Sequence, residues 1–188
     1  MADIPDLYRR ASDHFGALVH TIRDDQWGAP TPCTEWNVRD LVNHVTAEDR
    51  WVVPLLVGRT VAEVGDAYDG DVLGEDPVAA WDQAVAAAQT QFSASGAMTR
   101  PVHLSGGETP AEQYAFEMTA DHTIHAWDLA RGIGADETLP PELVAFVTER
   151  LMPQIKAWRD GGAFVAAVPV PDDADAQTRL LAETGRQV

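Results

Sequence analysis

The chain has 188 residues with 30 acidic against 13 basic side chains, a formal charge of -17 at neutral pH, so nucleic acids and anionic membranes would be repelled rather than bound. No run approaches the roughly 18 apolar residues that a spanning helix needs, and the opening Met1-Ala2-Asp3-Ile4-Pro5-Asp6 lacks the basic start and apolar core of an export signal, so a cytoplasmic location is expected. The single Cys33 allows no internal disulfide and no thiolate-rich structural zinc site, and the length suits one well-buried domain over 1–188, with 161–188 as a tail packed on it.

Leu7, Ala11, Phe15, Leu18, Val19 and Ile22 recur at helical spacing and predict a first helix from Leu7 to about Trp27. His14 and His20 within it have no second ligand type on their own faces and read as surface residues. Two prolines make 28–36 a loop. Asn37 then caps a second helix, with Asp40 in a capping-box position and Trp36 placed as a staple; it runs to about Val57, with Pro54 kinking or tightening its last turn. After an irregular connection over 59–75, Asp76-Pro77 opens a third helix striped by Trp81, Val85, Ala88 and Phe92. Residues 95–109 read as a loop able to overhang a pocket, extended at most over Pro101–Leu104; His103 there reads as an exposed side chain, with substrate binding as the alternative. Thr109-Pro110-Ala111-Glu112 repeats the cap logic and starts a fourth helix that ends near Arg131-Gly132. Pro140-Pro141-Glu142 opens a fifth, through Ile155 and interrupted at Pro153, and Asp175 to Glu183 reads as a short helix. No segment alternates with period two, so the expectation is an all-α fold: a four-helix bundle with an additional C-terminal helix and a short tail.

Two helices carry groups that suit a metal. Leu41, His44, Glu48, Trp51 and Leu55 share one face of the second, with His44 in mid-stripe. On the fourth, at about 100° per residue, Asp121 and His125 stack one turn apart at the edge of the stripe formed by Phe116, Ala120, Ile124 and Trp127, while His122 falls roughly opposite. A carboxylate is expensive to bury unpaired, and a divalent cation shared with two imidazoles would neutralise it. His44, Asp121 and His125 are therefore the candidate metal ligands, an open three-ligand set of the catalytic kind. Glu48, one turn from His44, is the candidate base or outer partner, with a plain solvated glutamate as the alternative.

Pro32-Cys33-Thr34-Glu35-Trp36-Asn37-Val38-Arg39-Asp40-Leu41-Val42-Asn43-His44 and His125-Ala126-Trp127-Asp128-Leu129-Ala130-Arg131 resemble two segments of the DinB-like superfamily, in the branch typified by mycothiol-dependent maleylpyruvate isomerase. Gly162-Ala163-Phe164, Val168-Pro169 and Leu180 to Arg186 resemble the tail of its actinobacterial metal-binding members, so the likeness spans nearly the whole chain. The resemblance implies a DinB-like four-helix bundle and a divalent metal, usually zinc, with nickel or another divalent ion as alternatives, on His44, Asp121 and His125. It also implies a low-molecular-weight thiol such as mycothiol as cosubstrate. The branch commonly has Glu where Asp121 stands, and some DinB-like proteins use three histidines, which leaves His122 as a rival ligand. Larger isomerases of the branch carry a fuller C-terminal domain, so their specific reaction is not carried over. The function expected is a thiol-dependent transferase or isomerase acting on a small electrophile, as monomer or homodimer; the alternative is a non-catalytic metal-binding or stress-related module.

Overall fold

The computed structural model describes residues 3–188; Met1 and Ala2, which begin the stretch read above for an export signal, lie outside the described residues. Four long helices form the frame: α1 (Ile4–Val19), α2 (Val38–Leu56), α4 (Pro77–Phe92) and α5 (Ala111–Ile133), with a one-turn α3 (Val61–Val64) between the second and third. Helix α1 packs on α5, α5 on α2, α2 on α4 and α4 back on α1, which closes a four-membered bundle. Beyond it lie α6 (Pro141–Leu151), α7 (Ile155–Asp160) and α8 (Ala176–Glu183); α6 lies against α5 and receives α8. One apolar cluster runs from Ile4 to Leu181. No helix among the described residues is long and apolar enough to cross a membrane.

The boundaries follow local chemistry. Asn37 and Asp40 form the expected capping box, each accepting the other's backbone N–H, at 3.0 and 3.1 Å. Asp76 accepts the N–H of Ala79 at 3.0 Å and Pro77 takes the first helical position. Pro54 lies inside α2, which continues for two more residues. Two expectations are corrected. Helix α1 ends at Val19 rather than near Trp27: the chain turns at His20 and Thr21, and Ile22 meets the core from outside the helix. Thr109 does not cap α5, because it is paired with Val102 in a hairpin of β1 (Pro101–Leu104) and β2 (Gly107–Pro110), and Pro110 takes the cap position. The N–H of Ala111 is satisfied instead by the Arg100 carbonyl at 2.9 Å. The fifth predicted helix is interrupted around Pro153 as expected: α6 ends at Leu151 and Met152–Gln154 tightens before α7.

Helix α5 is the axis of the fold: Tyr114, Phe116, Met118, Ala120, Ile124, Trp127 and Leu129 point to different sides, and all are buried. Its last turn runs close under the 28–37 loop. A Cβ on Gly132 would lie 3.2 Å from methyl groups of Thr31 and Val38 and 3.3 Å from the Pro30 carbonyl, tighter than ordinary van der Waals contact. Gly132→Val should therefore lower stability by about 1–3 kcal/mol through overpacking, although valine favours a helix more than glycine does. Thermal unfolding followed by helical circular dichroism tests this, and a midpoint at or above that of the parent chain would contradict the close approach.

Candidate metal centre

The helical register of α2 and α5 brings His44, Asp121 and His125 together, with one donor atom from each within 4.8 Å of the others. Both imidazoles present Nε2 to the same oxygen: His44 lies 3.5 Å and His125 3.4 Å from Asp121 Oδ1. The other oxygen, Asp121 Oδ2, is sealed from solvent and has no hydrogen-bond partner among the described residues. Burial alone would raise the Asp121 pKa, but His125 and His44 beside it hold its carboxyl well below the usual range. Burial alone would likewise neutralise His125; Asp121, with help from Asp128, holds that imidazole well above its ordinary value. The cluster thus carries two imidazoles and one carboxylate with an unused lone-pair face, a donor set that suits zinc and similar divalent ions.

His125 is fixed from behind. Its Nδ1–H donates to Asp128 Oδ2 at 2.9 Å, which leaves Nε2 to face the cluster. Asp128 is fully buried and also accepts from Arg186, at 2.8 Å from Nη2 and 3.3 Å from Nε. The Cys33 thiol reaches the same carboxylate at 3.3 Å and lies 3.9 Å from both His125 Nδ1 and Arg186 Nη2. Cys33, His125 and Asp128 also lie close enough to form a donor set. Arg186 already supplies the cation there, so the second set is neutralised by the protein itself. Burial opposes the Asp128 charge, yet His125 and Arg186 lower its pKa to about 2.

A cavity of about 1190 Å³ opens over the cluster, lined by the 30–36 loop, His44, Asp121 and His125 together with Trp158, Phe164, Arg131 and Arg186. The Trp36 ring lies 4.7 Å from that of His44 and 5.9 Å from that of His125, so the residue just ahead of the α2 cap also lies against the cluster.

The other sequence candidates fall elsewhere. His122 lies away from the cluster, on the face that the helical wheel places opposite the stripe, and it is fully buried there because α1 packs on α5. Its ring nitrogens meet the Met118 carbonyl at 2.8 Å and Asp49 Oδ2 at 3.2 Å. Glu48 is half-buried and not among the residues lining the cavity; burial raises its pKa, and the Asp121 charge raises it further. His103 lies on β1, bridged to Thr60, and the hairpin does not line this cavity either. His20 is exposed and pairs with Asp82 at 2.9 Å, and His14 is half-buried near Asp136. Sequence reasoning missed Asp128 and Arg186 as parts of the site. The three-residue spacing of Asp128 from His125 could have revealed the first; nothing local points to the second.

A family model described as the mycothiol maleylpyruvate isomerase N-terminal domain matches residues 8–130, from α1 through nearly all of α5. The chain belongs to that family. Uncharacterized proteins from two strains of Mycobacterium tuberculosis are each 34% identical to it over 185 residues, covering 96% of both chains. A crystal structure of a histidine-to-alanine mutant of mycothiol-dependent maleylpyruvate isomerase superposes with a TM-score of 0.64 at 16% identity, covering 85% of this chain and 71% of the other. That likeness establishes a shared mainly helical fold. The family match contains His44, Asp121, His125 and Asp128 but stops short of Arg186.

The lowered Asp128 pKa links the site to stability. A folded value near 2 against an unfolded value near 3.8 corresponds to roughly 2 kcal/mol, present above about pH 4 and lost as pH falls through about 2. Urea unfolding of the parent chain and Asp128→Asn should therefore differ at neutral pH and converge toward pH 2. A constant difference across that window would refute the linkage.

Proposed function

We propose that His44, Asp121 and His125 hold one divalent metal ion, zinc first and nickel or another divalent ion otherwise. In this reading the chain, as one domain over 1–188, works with a low-molecular-weight thiol of the mycothiol type as a transferase or isomerase on a small electrophile. The observation that carries it is Asp121: a carboxylate with one oxygen facing two imidazole Nε2 atoms and the other buried without a hydrogen-bond partner among the described residues. An unpartnered buried carboxylate oxygen is costly, and a cation between these donors would satisfy it. When bound, such a metal lowers the pKa of an external thiol so that thiolate is available near neutral pH.

The protein's own residues prepare that chemistry. Asp128 fixes the His125 ring so that only Nε2 points into the cluster, an outer contact of a kind worth about 10- to 100-fold in metal affinity. Trp36 and Ile124 give the cavity an apolar lining that limits water, and its volume of about 1190 Å³ lies slightly above the roughly 300–1,000 Å³ of typical small-molecule sites, which suits a thiol together with an electrophile. Glu48 faces the cluster electrostatically from outside the cavity wall, which favours an outer-partner role over direct contact with substrate. Addition of a thiol to an activated double bond gives a conjugate, and elimination of the same thiol after rotation gives the isomer; both outcomes need the same binding groups.

Zinc measured by mass spectrometry should be lost in His44→Ala and His125→Ala, strongly reduced in Asp121→Asn and retained in Asp121→Glu. Equal zinc in the parent chain and Asp121→Asn would overturn the ligand set. In cobalt-substituted protein, millimolar thiol should produce a sulfur-to-metal charge-transfer band. An unchanged spectrum would instead favour a metal-binding module without thiol chemistry.

A further inference from the structure

Away from the cavity, three polar side chains meet in the apolar core. Tyr8 on α1, Asp49 on α2 and His122 on α5 are each fully buried. The Tyr8 hydroxyl donates to Asp49 Oδ1 at 2.5 Å, and His122 Nε2 lies 3.2 Å from Asp49 Oδ2. His122 Nδ1–H donates to the Met118 carbonyl at 2.8 Å, so a proton must lie between Nε2 and Asp49 Oδ2 for the second contact to be a hydrogen bond. The rings of Tyr8, Phe15 and Trp81 surround the imidazole with centroids 5.3, 6.0 and 5.8 Å away, an apolar setting in which a charged imidazole needs a counter-charge beside it. Asp49 supplies that charge.

We infer that Tyr8, Asp49 and His122 form a buried clamp that sets the position of His44 against Asp121 and His125, an inference that rests on reading those three as a metal centre. Asp49 follows His44 by five residues, about 7.5 Å along α2, and His122 directly follows Asp121. The link therefore joins the two ligand-bearing helices beside the ligands themselves. His44 needs such help. Its hydrogen-bond contact with the protein is the long 3.5 Å approach to Asp121, so the placement of α2 and the Trp36 ring decide where its imidazole stands. Apolar packing alone could hold α2 on α5, and a buried ion pair commonly adds little net stability compared with apolar residues of similar volume. What the pair adds is a single register, since its hydrogen bonds are satisfied in one alignment of the helices.

These are positioning residues, and their test separates spacing from stability. The paired variant Asp49→Val/His122→Leu leaves no unpaired charge and is expected to stay folded with a thermal midpoint near that of the parent chain. Two readouts follow. The ring-to-ring NMR contact between His44 and His125, whose centroids lie 5.2 Å apart, should be present in the metal-free parent chain and lost in the variant. Cobalt affinity should fall by about tenfold or more, the scale of a lost outer contact. A folded variant that keeps both the NMR contact and the parent's cobalt affinity overturns the clamp. If the parent chain binds no cobalt, the metal reading fails, and the NMR contact alone decides the clamp. Asp49→Leu, which takes away the partner of both Tyr8 and His122 and leaves a neutral imidazole bonded to the Met118 carbonyl, gives the same readouts should the paired variant fail to fold.

Discussion

A carboxylate that must stay ionised inside a protein wall dictates what can surround it, and at Asp121 the surroundings are two imidazoles delivered by two helices. Both helices must hold their axial register to keep those rings on one oxygen, which is why the region around the cluster is rich in interactions that fix rotation as well as distance. The Asn37–Asp40 box fixes where α2 begins. The absence of a side chain at Gly132 lets the 28–37 loop close on α5 and place Trp36 over His44. Asp128 then removes the remaining freedom of the His125 ring.

Charge is compensated locally throughout this region, although the chain as a whole is strongly acidic. Asp128 is matched by Arg186 and His125, and Asp49 by His122. Each buried acid thus has a cationic or imidazole neighbour. The surface excess of carboxylates lies elsewhere and serves solubility.

How much of this was legible in the sequence depends on whether the signal was local. His44, Asp121 and His125 could be picked out because helical geometry fixes their faces to within a fraction of a turn, and Asn37 and Asp76 could be recognised as caps because capping acts over three residues. The burial of His122 was not legible because a helical wheel assumes one buried stripe, whereas α5 is packed by α1, α2 and α6 on several sides. The hairpin was seen only in part, since strands of four residues are too short to show alternation. Arg186 gave no signal at all, because its meaning depends on a partner 58 residues away.

That separation shapes how the cavity is put together. The contact of Arg186 with Cys33 spans 153 residues, and the stretch between them contains every bundle helix except α1. Contacts of this kind are formed once their supporting elements are in place, here α8 with its bond from Arg186 N–H to the Leu181 carbonyl. The bundle can therefore assemble its four helices while one wall of the cavity is still open. The enclosure around Asp121 is a late, separately adjustable layer laid over an early and rigid frame.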